Sequence, residues 1–84
     1  MTSLTQALLN AKVGDLPKDF HVTMEVDDYE VMVITERQVS VTVHKKKGPG
    51  KGARVVVYDP DPDLTVAEIY RKARDTLEVL VRRR

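Results

Sequence analysis

Apolar residues recur at every second position through the middle of the chain and at every third or fourth position towards its two ends. Side chains repeat with a period of 3.6 on a helix and 2 on a strand, so the ends read as helices and the middle as strands. Near the start, Leu4, Ala7, Leu8 and Ala11 share one helical face, Ser3 and Gln6 have the spacing of a capping box, and Gly14 is the expected stop. This predicts a short helix within residues 1–14. Asp15 to Asp19 forms a connector, with Pro17 holding the chain extended.

Four strand-like runs follow. Phe20, Val22, Met24 and Val26 alternate with His21, Thr23 and Glu25, and Asp27-Asp28 is the expected turn. In the second run Tyr29, Val31 and Val33 face one way while Met32 and Ile34 face the other. Val39, Val41 and Val43 alternate with Ser40, Thr42 and His44, and the fourth run spans Ala53 to Tyr58. Short β-branched runs joined by short polar turns predict an antiparallel meander over residues 20–58.

The last segment carries a second capping box, Thr65 with Glu68, preceded by Asp59, Asp61 and Asp63. Val66, Ile69, Tyr70, Ala73, Leu77, Leu80 and Val81 then form one apolar stripe, which predicts a helix over 65–82. The fold class expected is α+β: one domain over 1–84, with a short N-terminal helix, a four-stranded antiparallel meander sheet and a long C-terminal amphipathic helix packed on one sheet face. The face of Phe20, Val31, Val41 and Val55 should take that helix. The other face is mostly polar but includes Met32, Ile34, Val56 and Tyr58, so it calls for cover by the first helix or by a second copy of the chain. A homodimer is therefore among the expected assemblies.

Composition narrows the function classes. Eighty-four residues, 42% apolar and 32% charged, suit one small soluble domain with no room for separate cofactor and substrate halves. No stretch approaches the roughly 18 consecutive apolar residues of a membrane span. The start shows no basic segment leading into an apolar one, so no signal peptide is expected, and the cytoplasm is the expected location. With no cysteine there is neither a disulfide, a thiolate nucleophile nor a thiolate zinc site.

The net charge of +1 conceals segregation. Residues 15–36 carry seven acids and one base, whereas residues 37–58 carry six bases and no acid. Residues 59–70 return to four acids, and residues 71–84 hold six bases against two acids. The basic hairpin at 45–52 is the sharpest feature. His44-Lys-Lys-Lys-Gly-Pro-Gly-Lys-Gly-Ala-Arg54 pairs lysines, which neutralise phosphates without fixed geometry, with glycines, which let a backbone approach them closely. A P-loop is not met, because Gly50-Lys51 is followed by Gly52 and a strand rather than by Ser or Thr opening a helix. The candidate nucleic-acid-binding residues are Lys45, Lys46, Lys47, Lys51 and Arg54, with Arg82, Arg83 and Arg84 as secondary contacts. The competing structural role for these bases is a solvated turn and a complement to the helix dipole.

Other constellations fall short of chemistry. Asp59-Pro-Asp-Pro-Asp63 opens like a calcium loop, but Leu64 stands where that loop needs glycine and Tyr70 where it needs glutamate. His21 and His44 are the only general-base candidates of moderate pKa, with no acid or oxyanion site at fixed spacing. No enzyme activity, cofactor or metal is expected.

The order of four strands and a long helix is similar to that of small single-strand-binding transcription cofactors, whose sheets also carry basic residues. The bases here are not interleaved with aromatics, Tyr58 being the only one nearby, so contact with a duplex backbone fits better than base stacking. The expected function is a non-enzymatic nucleic-acid-binding or regulatory accessory protein. The alternative is a small protein–protein interaction module, an inhibitor or adaptor from a mobile element or an operon, acting through its charged surfaces.

Overall fold

The computed structural model describes residues 3–83. Its elements are α1 (Leu4–Asn10), a single 3₁₀ turn (Val13–Asp15), strands β1 (His21–Val26), β2 (Tyr29–Ile34), β3 (Ser40–Lys45) and β4 (Arg54–Tyr58), and α2 (Val66–Arg82). The strands form one open antiparallel sheet in the order β1-β2-β3-β4, the meander that the short turns predict. The β1–β2 turn is two residues long, with Asp27 in the left-handed region at φ 54°. Aspartate tolerates that conformation because its short side chain can bond locally.

Register fixes the two faces. Val22, Met24 and Val26 pair with Val33, Val31 and Tyr29, and the row continues through Val41, Val43 and Lys45 to Val55 and Val57. These residues face the core, where Val31, Val33, Val41 and Val43 are buried beneath Val66, Ile69, Tyr70, Ala73 and Leu77 of α2. The helix begins with the full capping box: the Thr65 hydroxyl accepts from the Glu68 N–H, and the Glu68 carboxylate accepts from the Thr65 N–H. Leu80 leaves the predicted stripe. Leu77 and Val81 sit four apart on the core side, and Leu80, turned away from them, is half exposed.

The N-terminal segment departs from expectation in three ways. The helix ends at Asn10, well before Gly14, and only half of the Ser3–Gln6 box forms: Ser3 accepts from the Gln6 N–H, while the Gln6 amide reaches Asn10 instead. Gly14 serves close approach rather than capping. Its N–H donates to Pro62 O at 2.9 Å, and a Cβ there would stand 3.0 Å from the Pro62 Cβ. Together with Val13 N–H to Leu64 O and Val66 N–H to Ala11 O, this lays residues 11–14 alongside 62–66. The third departure follows from that tether. Leu8 and Leu9 pack on the same side of the sheet as α2, so α1 does not cover the second face. The molecule measures 37 × 30 × 18 Å, its thin dimension accommodating one sheet and one layer of helix.

Candidate functional site

In an up-and-down meander the first and third turns lie at the same end of the sheet. The β3–β4 loop, residues 46–53, therefore sits beside the acidic β1–β2 turn. Lys46 N–H donates to Asp28 O at 2.9 Å, and its ammonium lies 4.0 Å from Glu30. A cleft of about 180 Å³ separates Glu25, Asp27 and Asp28 from Lys46 and Lys47. The acid and base blocks that are separate in sequence are neighbours in space.

The loop is also held against α2. Gly50 has φ 82°, a conformation that glycine adopts without steric cost. A Cβ on Gly50 would lie 2.5 and 2.6 Å from the two methyls of Val81, so only a glycine lets the loop rest there. This seat brings the loop lysines to the C-terminal end of α2, where Arg82 and Arg83 follow Val81 directly. Among the described residues Lys47, Lys51, Arg82 and Arg83 are exposed and form no ion pair. Arg84 lies outside the described residues. Arg54 opens β4 on the second sheet face, in register with His44.

Lys45 is corrected by the structure. It ends β3 on the core side, two residues after Val43, and is only 8% exposed. Its ammonium donates to Glu78 Oε1 of α2 at 2.8 Å and lies 5.5 Å from the centre of the Tyr29 ring. The Tyr29 hydroxyl donates to the same Glu78 carboxylate, and the Tyr29 ring meets Tyr70 edge-on at 6.0 Å. Lys45 thus belongs to a structural cluster under the loop and does not present its charge to a ligand. The alternation Val41, Val43, Lys45 holds the signal for this burial. Glu78 is the partner that sequence reasoning missed, and its spacing of four from Arg74 and eight from Tyr70 places it on the tyrosine side of the helix.

Next to this cluster the Tyr70 hydroxyl is buried without a hydrogen-bond partner. Burial pushes its pKa above the usual phenol value, and the Arg74 guanidinium, 5.4 Å from the ring centre, opposes the rise. His21 and His44 both stand on the second face, in different rows of the register. A groove of about 700 Å³ lies between the connector 13–19 and the segment after β4, and neither histidine lines it. In the aspartate–proline segment, Asp61 accepts from the Asp63 N–H at 2.9 Å and Asp59 from the Gln38 amide at 2.9 Å, so these carboxylates brace the turn into α2. Among the described residues no group of three or more His, Asp or Glu is arranged to hold a metal, and no helix is long and apolar enough to cross a membrane. Compared with protein-family models, with curated proteins and with solved structures, the chain matches none.

Proposed function

We propose that the chain is a non-enzymatic nucleic-acid-binding accessory protein that contacts backbone phosphates with its basic end. The contacts come from Lys46, Lys47 and Lys51 of the β3–β4 loop and from Arg82 and Arg83 of α2, with Arg54 at the rim. The observation that carries this reading is the seat of Gly50 on Val81, which joins two basic segments distant in sequence. A duplex is favoured over a single strand. Tyr58 pairs with Ser40 at the far end of the sheet from the loop, so it offers the basic end no base-stacking surface. The acidic turn beside Lys46 limits how many of these cations a phosphate chain can engage.

The test is a fluorescence-anisotropy titration with duplex DNA, single-stranded DNA and RNA at about 50 and 200 mM salt. Engagement of Lys47, Lys51, Arg82 and Arg83 should weaken binding about 10²-fold between those salts, at a slope of about −0.9 per phosphate contact. The double variant Lys47→Glu/Lys51→Glu should abolish binding, and Lys45→Met should leave it unchanged. No binding at the lower salt, or binding that survives the double reversal, overturns the reading.

The second sheet face favours a second reading, a protein–protein module. Val56 and Tyr58 are 36% and 62% exposed on it, and neither helix covers them.

A further inference from the structure

The second sheet face is a grid of twelve side chains in three rows across four strands. Read from β1 to β4, the rows are His21, Ile34, Ser40, Tyr58; then Thr23, Met32, Thr42, Val56; then Glu25, Glu30, His44, Arg54. The third row runs from two carboxylates on one half of the sheet to an imidazole and a guanidinium on the other. Such a row complements itself when reversed. We propose that this face binds a second copy of the chain, with the twofold axis parallel to the strands and lying between the two sheets.

That axis reverses the strand order without exchanging the rows. It lays β1 over the β4 of the second copy and β2 over its β3. Glu25 then meets Arg54 and Glu30 meets His44, each twice by symmetry, as an isologous interface requires. In the middle row Val56 meets Thr23 and Met32 meets Thr42, which buries the apolar side chains that the single chain leaves open. The alternative axis, perpendicular to the strands, exchanges the first and third rows. Arg54 would then face Tyr58 and Glu30 would face Ile34, so charge complementarity selects the strand-parallel axis. Packing two twisted sheets this way also matches the aligned geometry of β-sandwiches, about 10 Å apart and about 30° from parallel. Lys46, 4.0 Å from Glu30, lies at the rim of the same row and competes for that carboxylate.

The area sets the strength. Four strands about 4.8 Å apart and about six residues long at about 3.3 Å each give a flat face of about 400 Å². This lies below the roughly 800 Å² per partner of a standard stable interface, which places the dimer in the weak class that dissociates on dilution.

The dimer takes up the protein–protein reading and names the chain itself as the partner; it shares only Arg54 with the proposed phosphate contacts, so Val56→Lys and Lys47→Glu/Lys51→Glu, which each touch one surface alone, tell the two readings apart. Sedimentation velocity from about 5 to 500 µM, a span suited to a weak dimer, should show the 9.5 kDa chain doubling in mass. Arg54→Glu and Glu25→Arg should each abolish the doubling, and the combined swap should restore it, because the pairs re-form with their signs exchanged. All three variants alter exposed side chains, so circular dichroism should report an unchanged fold. Val56→Lys, in the middle row, should also hold the chain monomeric, whereas Lys47→Glu/Lys51→Glu should not. A chain that stays monomeric throughout the range overturns the proposal, as does a dimer indifferent to Arg54→Glu and Val56→Lys or one that the combined swap fails to restore.

Discussion

Replacing Glu78 with alanine isolates the energetics of the buried cluster under the loop. The substitution leaves the Lys45 ammonium without its carboxylate at 2.8 Å and the Tyr29 hydroxyl without its acceptor. Breaking a fully buried pair by removing one partner costs about 3–5 kcal/mol, because the remaining charge stays desolvated. The Lys45 side chain is 9% exposed but that of Glu78 is 32% exposed, so water entering the vacated space lowers the cost to about 2 kcal/mol. A domain of this size has about 4–12 kcal/mol in total, so the loss is a large share of it. The opposite truncation behaves differently. Lys45→Met keeps an unbranched apolar chain against the Tyr29 ring, and the partly exposed Glu78 keeps the Tyr29 hydrogen bond and its access to water, so the cost stays below about 1 kcal/mol. In the Lys45→Met background, Glu78→Ala should cost only the Tyr29 hydrogen bond, about 1 kcal/mol, and so less than in the parent chain. Urea unfolding followed by far-UV circular dichroism at neutral pH measures all four corners of this cycle. With a slope of about 1 kcal/mol per molar urea, Glu78→Ala lowers the midpoint by about 2 M. A drop within about 0.5 kcal/mol of zero, or an equal cost in both backgrounds, would refute the reasoning, since surface pairs contribute about that much.

Three further outcomes follow from the same end of the molecule. Gly50→Ala forces a side chain into φ 82° and into the Val81 methyls, and should cost about 1–2 kcal/mol in urea unfolding; adding Val81→Ala removes the clash and recovers part of that loss, which a purely conformational cost would not permit. Tyr70→Phe removes a buried hydroxyl that has no partner, so it should leave stability unchanged or raise it by about 1 kcal/mol. Because burial raises the Tyr70 pKa in the folded state, its contribution is complete below the unfolded phenol value of about 10 and is lost as pH rises through the folded value. The stability of the parent chain should therefore fall more steeply than that of Tyr70→Phe above about pH 10 in thermal melts.

The charge segregation along the sequence takes a different meaning in the fold. Seven acids in residues 15–36 and six bases in residues 37–58 stand as separate blocks along the chain. The meander instead brings the acidic turn against the base of the basic loop, where Lys46 meets Glu30 and the Asp28 carbonyl. The cations left free of this neutralisation are those further along the loop and on α2. For that reason the proposed phosphate contacts centre on Lys47, Lys51, Arg82 and Arg83.

What the sequence determined by itself is local. Strand alternation assigned Val31, Val41 and Val55 to the helix-covered face and Met32, Ile34, Val56 and Tyr58 to the other, and the observed register keeps that division. The Thr65–Glu68 capping box fixed the start of α2, because its bonds span only three residues. Tertiary structure decided what depends on distant partners. Glu78 reaches Tyr29 across 49 positions and Lys45 across 33, so the burial of one lysine out of a run of three turns on where α2 lies over β3. The tether of residues 11–14 to 62–66 put α1 beside α2 and left the second sheet face open. The seat of Gly50 on Val81 likewise has no local signature, since a glycine in a loop reads the same whether it serves a turn or a close approach. Periodicity and capping express the geometry of a few consecutive residues; desolvation, charge compensation and the meeting of loop with helix depend on how the layers pack.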